Sequence, residues 1–445
     1  MRKIIAITTL FLISLSSIAW AEDYPIPDTG QNICYDNSTA ISCPSPGEPF
    51  YGQDAQYLCN LRSYTKLDEN GNELPDNGIG WVMVRDNVTG LIWEMKNNNS
   101  YDIHDKDKTY KWLDLQDDGM DVQEDFIAVL NTPPGFGGFT DWRLPTVQEL
   151  SSIVDSGITY PPNIEGPTID LSYFSPTKPS AYWTSNNYAP DGWNAHIVWF
   201  SSGTVDETIK FVNCYVRAVR GEQSSNNFVD NGDGTVSDLA TGLLWQQASA
   251  PETYIWEKAL SYCENLSLAG YDDWRLPNRN ELQSIVDYFT SSPSIDTTFF
   301  PDTNGQYLSS TTDAKEPEYA WHVSFSSNSV GSYYKSRDYW RVRAVRAGQC
   351  ELLDTSTTTT VTSTTTTVLD TCPTESIYGE HSEEVELLRY VRDNVLSQAP
   401  TGQEIISLYY QWSPMIVKAM EEDEGFKEEV KEMIDGVLEL ITEAE

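Results

Sequence analysis

Two identical strings carry the charged residues best placed to do chemistry: Asp141-Trp142-Arg143-Leu144-Pro145 and Asp273-Trp274-Arg275-Leu276-Pro277. Each sets a guanidinium near carboxylates, Asp141 and Glu149 in the first copy and Asp273 and Glu281 in the second. Such an arginine either binds an anionic ligand or closes an internal ion pair. The internal pair is the favoured reading, because a buried guanidinium needs a carboxylate partner. The following residues support it. Thr146 and Asn278 come directly after the prolines, with Glu149 and Glu281 three residues later. That is the spacing of a capping box, in which cap side chain and glutamate each satisfy a free amide. Leu150, Ile153 and Val154, and again Leu282, Ile285 and Val286, then place an apolar stripe on one helix face. Asp141, Trp142, Arg143, Glu149, Asp273, Trp274, Arg275 and Glu281 are therefore expected to form two structural hubs.

Other reactive side chains do not converge. His104, His196, His322 and His381 are scattered, and no Ser/His/Asp or Cys/His arrangement recurs, so no catalytic residues are expected. Asp230-Asn231-Gly232-Asp233-Gly234 offers oxygen ligands but lacks the 12-residue calcium loop with its terminal glutamate, and reads as a hairpin turn. Neither a metal nor a cofactor is expected. Seven cysteines stand at 34, 43, 59, 214, 263, 350 and 372. Their spacings fit no zinc site; at least one bridge is expected among the first three, and the odd count leaves at least one cysteine unpaired or paired between chains. Of the fourteen tryptophans, Trp93, Trp142, Trp245 and Trp274 sit in repeated motifs and read as core. Trp193 lies instead in a polar loop, Asn186 to Asn194, between two strand-like segments. Tyr188, Asp191, Trp193 and Asn194 are the candidate ligand-binding residues: an aromatic face packs on sugar C–H surfaces, and loops on rigid scaffolds carry binding.

These residues sit in a chain of 445, long enough for two or three domains. Residues 1–21 read as a signal peptide: Arg2 and Lys3, an apolar run from Ile4 to Ile18, then Ala19-Trp20-Ala21. No later stretch approaches the roughly 20 apolar residues of a membrane span. An exported protein is expected, whether secreted, surface-held or periplasmic. A net charge of -39 argues against nucleic acid and polyanionic glycans as partners. Residues 22–60 form a loop-rich, cysteine-containing leader. Two repeats follow, 61–221 and 228–347, sharing D-x-x-T-G-L-x-W at Asp86–Trp93 and Asp238–Trp245. Trp81 to Val84 reads as a strand before the first of these turns. A first helix is expected in each: Trp256, Ala259, Leu260 and Cys263 inward in the second repeat, Val122, Phe126, Val129 and Leu130 in the first. The first repeat alone carries a polar insertion, Asn97 to Asp118. Both close on Val-Arg-Ala-Val-Arg, at 216–220 and 342–346, an alternation expected of half-buried strands. So many matches in one order establish a duplication. A Thr-rich linker, 355–368, precedes an acidic helical tail, 372–445, with 5 basic and 18 acidic residues.

Taken together, T-G-L-x-W, D-W-R-L-P-x-x-x-E-L, Tyr182-Trp183-Thr184-Ser185 and the closing V-R-A-V-R resemble the DUF1566 domain, also described from the C-terminal domain of the Legionella collagen-like adhesin. The resemblance implies an α+β fold: two tandem C-type-lectin-like domains, here followed by a small all-α module. Fragments resembling the lectin calcium motifs, Glu316-Pro317-Glu318 and Trp193-Asn194, are incomplete. The closing strands carry Ala218 and Ala344 where the family often has cysteine. The tail resembles the CFI-box C-terminal module through Cys372, Tyr378-Gly379, Leu387-Leu388-Arg389, Arg392-Asp393, Tyr409-Tyr410 and Ser413-Pro414. These likenesses imply an exported, non-enzymatic binding or adhesion protein that recognises a glycan or surface protein. The alternative is a structural or surface-sorting protein with passive lectin-like domains. A relative of formylglycine-generating enzymes is the weakest reading, because Cys214 and Cys263 occupy non-equivalent positions.

Overall fold

The computed structural model describes residues 24–352, apart from 117–118, 161–165, 224–225 and 348–349, and then 377–378, 427, 430–431 and 434–435. The signal peptide, the Thr-rich linker, His381 and most of the tail lie outside the described residues. The chain forms two compact units, Met1–Thr357 and Thr358–Glu445. In the second unit the described positions are helical; Val430 is buried, and Lys431 pairs with Asp435 one turn on at 2.8 Å.

The first unit is rich in strand, with few and short helices. Its first repeat contains β1 (Tyr64–Leu67), β2 (Met83–Asp86) and β3 (Ile92–Glu94). Helix α1 opens as a π-turn, Val122–Ile127, and runs on as Ala128–Leu130; α2 spans Val147–Ser152. Then come β4 (Ala181–Asn187), β5 (Asn194–Trp199), β6 (Val205–Ile209) and β7 (Val219–Arg220). The second repeat follows the same plan with β8 (Phe228–Asp230), β9 (Thr235–Asp238), β10 (Leu243–Gln246), α3 (Trp256–Glu264) and α4 (Arg279–Ser284). It ends with β11 (Gln306–Thr312), β12 (Tyr319–Ser324), β13 (Ser329–Tyr334) and β14 (Val345–Ala347).

Local chemistry accounts for the turns. Asp86 and Asp238 accept backbone N–H groups two residues on, from Val88 and Ala240. Gly90 and Gly242 then take left-handed φ of 73° and 70°, where a side chain would be strained. Asn231 to Gly234 joins β8 to β9 as a hairpin.

Antiparallel sheets β1-β2-β3-β7 and β8-β9-β10-β14 form one per repeat. The meanders β4-β5-β6 and β11-β12-β13 instead fuse into one six-stranded sheet, β4-β5-β6-β13-β12-β11. The joint is Val205 against Val330, the same position of the two repeats. Behind it α2 packs on α4, where Gln283 Nε2 donates to Ser151 Oγ at 3.0 Å and Gln148 Nε2 to the Val286 carbonyl at 3.0 Å. Val154, Phe200 and Val205 share a core with Val286, Phe325 and Val330. Smaller cores around Trp142 and Trp183, and around Trp256 and Trp274, belong to one repeat each.

Three sequence expectations are corrected. Val129 is 50 % exposed, and Ile127 takes the inward place. The π-turn is the reason: its wider winding brings residues 122, 126 and 127 to one face and rotates 129 away. The strand expected at Trp81 begins at Met83, because Trp81 turns its indole N–H to the Tyr173 carbonyl, 2.9 Å, beneath the Lys66 ammonium. Arg217 and Arg343, expected on a wet strand face, are fully buried. Arg217 donates to the Glu94 carbonyl and to Thr177 Oγ1, both at 2.7 Å, and Arg343 to Thr303 Oγ1 at 2.8 Å.

The leader is bound to the second repeat. Cys34 and Cys43 are bridged, whereas Cys214 and Cys263 are buried free thiols. Gln31 exchanges two hydrogen bonds with the backbone of Thr312 on β11, at 2.7 and 2.8 Å, as another strand would. Asp54 accepts from Thr29 Oγ1 at 2.7 Å and Thr311 Oγ1 at 2.6 Å. Burial, and then the charge of Asp28, push its carboxyl up to about 7.

Candidate functional site

The two hubs have one geometry. Arg143 forms a fork with Glu149, NH1 to Oε2 at 2.7 Å and NH2 to Oε1 at 2.6 Å; Arg275 does the same with Glu281 at 2.6 and 2.5 Å. Both boxes close, with the glutamate accepting from the Thr146 and Asn278 backbones at 2.7 and 2.8 Å. Asp141 and Asp273 pair with the last arginine of each closing strand, Arg220 at 2.8 Å and Arg346 at 2.6 Å. Those guanidiniums also cover Phe139 and Tyr271, at 3.8 and 3.7 Å. Trp142 and Trp274 are buried beside them. Every charge of the hub has an ion-pair partner within the same repeat.

The four ligand-binding candidates meet in the β4–β5 hairpin. Asp191 Oδ1 accepts the backbone N–H groups of Trp193 and Asn194, at 2.9 and 2.8 Å, and so forms the turn. Asn194 and Tyr188 close the hairpin through a 3.0 Å backbone bond, and Tyr188 packs edge-on against His196. Trp193 remains: 61 % exposed, 6.0 Å from Phe211, on a turn that Lys210 braces by donating to the Gly192 carbonyl at 2.7 Å.

A second arrangement escaped sequence reasoning. Glu94, the residue after the strand tryptophan, is wholly buried. Its Oε1 receives Lys96 Nζ at 2.8 Å and lies 2.7 Å from His104 Nδ1; Oε2 accepts the Ala218 N–H at 3.0 Å. Burial alone would raise this carboxyl, but the Lys96 charge and the His104 hydrogen bond outweigh it and hold it at about 2. It is therefore ionised, and Nδ1 is the nitrogen that donates. The cost falls on the lysine, whose ammonium burial pulls down further than Glu94 raises it. Above the triad opens a cleft of about 340 Å³, lined among others by Lys96, His104, Asn97, Asp102, Trp81 and Phe136. His104 stacks on Phe136 at 4.2 Å. Asp102 accepts the His104 backbone N–H at 3.0 Å and Asn97 Nδ2 at 2.9 Å, and so fixes the insertion over the cleft. No residue of the Trp193 hairpin lines it.

The second repeat shows what is particular to the first. Gln246 replaces Glu94, accepts from Ala344 N at 3.1 Å as Glu94 does from Ala218, and donates to Tyr262 at 2.9 Å. No carboxylate is present there to gather a lysine and a histidine. Glu94 against Gln246, beside a histidine within the insertion, was the signal in the sequence.

The model of the Lcl C-terminal domain family matches residues 82–220 and again 234–346, more than half of the chain. The chain belongs to this family. It carries two Lcl domains in tandem; the hubs and meanders fall within the matched ranges, whereas β1 and β8, one strand of each four-stranded sheet, precede them. A search of the curated proteins finds no match. The triad lies within the first Lcl domain, as does the cleft lining apart from Glu69 and Trp81, and the leader and tail lie outside both.

Proposed function

We propose that the chain is an exported binding protein, not an enzyme, whose C-type-lectin-like Lcl domains recognise a glycan or surface protein through the first domain. The observation that supports this is the saturated carboxylate. Glu94 faces two basic side chains and accepts a backbone N–H, so at neutral pH it has no proton to give and little basicity to take one. The cleft lining holds no Ser, Thr, Cys or Tyr to serve as nucleophile. It offers instead an ammonium, an imidazole, an amide, the carboxylates of Glu69 and Asp102 and aromatic walls, which suit a polar ligand held reversibly. In this reading the exposed Trp193 is a separate stacking contact, and the acidic tail serves sorting or attachment. Among the described residues no helix is long and apolar enough to cross a membrane.

Glycan-array binding by the mature chain is the test. Trp193→Ala or His104→Ala is expected to weaken it by about tenfold with thermal unfolding unchanged for Trp193→Ala. An array on which neither substitution weakens binding to any glycan, or no binding at all, overturns the reading. Unchanged localisation after deletion of 372–445 removes the sorting role.

A further inference from the structure

We infer that the second Lcl domain carries a sugar-stacking platform of its own, formed by Tyr319, Tyr333, Tyr334 and Tyr339. β12 and β13 place Tyr319 directly opposite Tyr334, with Tyr333 next along the strand. Tyr319 meets Tyr334 at 4.5 Å and 65°, and Tyr333 meets Tyr334 at 5.3 Å and 82°. Each edge-on contact covers one face of a single ring and leaves the remaining faces uncovered by it. Tyr333, Tyr334 and Tyr339 are 38 %, 37 % and 47 % exposed. Beneath them the buried Trp340 supports Tyr339 at 4.7 Å and Tyr333 at 6.2 Å, so the group is held in place.

The fold does not require these rings. Equivalent positions of the first domain hold Asn194, Thr208, Ile209 and Asn213. The rim decides the occupant. Glu316, Glu318 and Asp338 are exposed around the tyrosines, alongside the cations Lys315 and Arg337, whose guanidinium lies 5.9 Å from the Tyr333 ring. Carboxylates and phenol hydroxyls bond sugar hydroxyls, and ring faces take the apolar side of a pyranose. Three carboxylates against two cations, on a chain of net charge -39, repel sulfated or uronic chains. The occupant is an uncharged, hydroxyl-rich oligosaccharide.

Affinity electrophoresis of the mature chain through gels containing xyloglucan, galactomannan or dextran, with heparin as the charged contrast, tests this. At least one neutral polysaccharide is expected to retard the protein. Tyr333→Ala/Tyr334→Ala weakens retardation by roughly tenfold, while Tyr333→Phe/Tyr334→Phe, which keeps the rings and the packing, retains it. Val129→Ser, an exposed first-domain position outside both proposed sites, leaves it unchanged. Retardation by heparin alone, or by nothing, overturns the proposal. So does retention that the alanine pair preserves, or self-association in sedimentation that the alanine pair abolishes, since the tyrosines would then cover a second copy of this chain.

Discussion

After the strand tryptophan the first repeat has Glu94 and the second has Gln246, and around that difference two versions of one scaffold diverge. Both side chains accept the same backbone N–H of the closing segment, so the fold needs only an acceptor there. The charge on Glu94 then brings Lys96 and His104 to it, and the insertion that holds His104 builds a cleft. The second repeat satisfies its amide locally with Tyr262, and its distinctive surface is the tyrosine group at the far end of its meander. Shared residues make the scaffold; unshared ones make surfaces.

The hubs give this comparison its sharpest test, because they differ in wetness. The Arg143 side chain is 27 % exposed and that of Arg275 is 5 %. Removing one partner of a buried pair costs about 3–5 kcal/mol. Glu281→Ala is expected to reach that range in chemical denaturation, and Glu149→Ala to fall short by about 1–2 kcal/mol because water reaches its arginine. Equal losses would mean that the capping box, not burial of the pair, sets the cost.

Acid and base should act on different repeats. Asp54 is raised to about 7 from 3.8, so its contribution is complete below pH 3.8 and lost as pH rises through 7. Glu94 is lowered to about 2 from 4.5, so its contribution is complete above pH 4.5 and lost as pH falls toward 2. Each is on the order of a few kcal/mol. Hydrogen exchange is expected to show the leader and β11 loosening in mild alkali, an effect absent in Asp54→Asn. The first-repeat cleft should loosen only in strong acid. Loosening of both regions together would sink the assignment.

Swapping the repeat-specific residue is the next largest effect. Glu94→Gln keeps the bond to Ala218 but leaves Lys96 buried without its counter-charge, at a cost of about 2–3 kcal/mol. Adding Lys96→Met should recover most of it; no recovery would show that Lys96 is not the group in distress. Smallest is Val129→Ser, within about 0.5 kcal/mol because the side chain faces water. A loss above about 1 kcal/mol in thermal unfolding would restore the inward position that helical spacing suggests.

What the sequence made legible was local. The capping boxes follow from spacing over three residues, and the arginine forks from the rule that a buried cation needs an anion. The tryptophans of the repeated motifs are core for the same reason: their neighbours are apolar and their positions recur. The Trp193 hairpin was visible as a polar turn between strands, although Asp191 and Asn194 prove to be occupied in building it. Contacts across longer separations were not visible. His104 reaches Glu94 through an insertion without periodicity, and Arg217 is drawn off its wet face by a carbonyl and a hydroxyl far away in sequence. The π-turn in α1 replaces the 3.6-residue period on which placing Val129 inward depended. Nor does alternation in either meander tell that their third strands pair with each other.

That pairing has a further consequence. Val205 faces Val330, its own counterpart, so the halves are related as two subunits about a twofold axis. The architecture is that of a homodimer whose subunits have been joined end to end. A half expressed alone would present β6 or β13 as a bare sheet edge with half a core behind it, a surface already shaped to accept its own copy. Fusion fixed the stoichiometry at one of each and released the halves from identity. One could then gain a charged cleft and the other a ring of tyrosines without either having to fit twice.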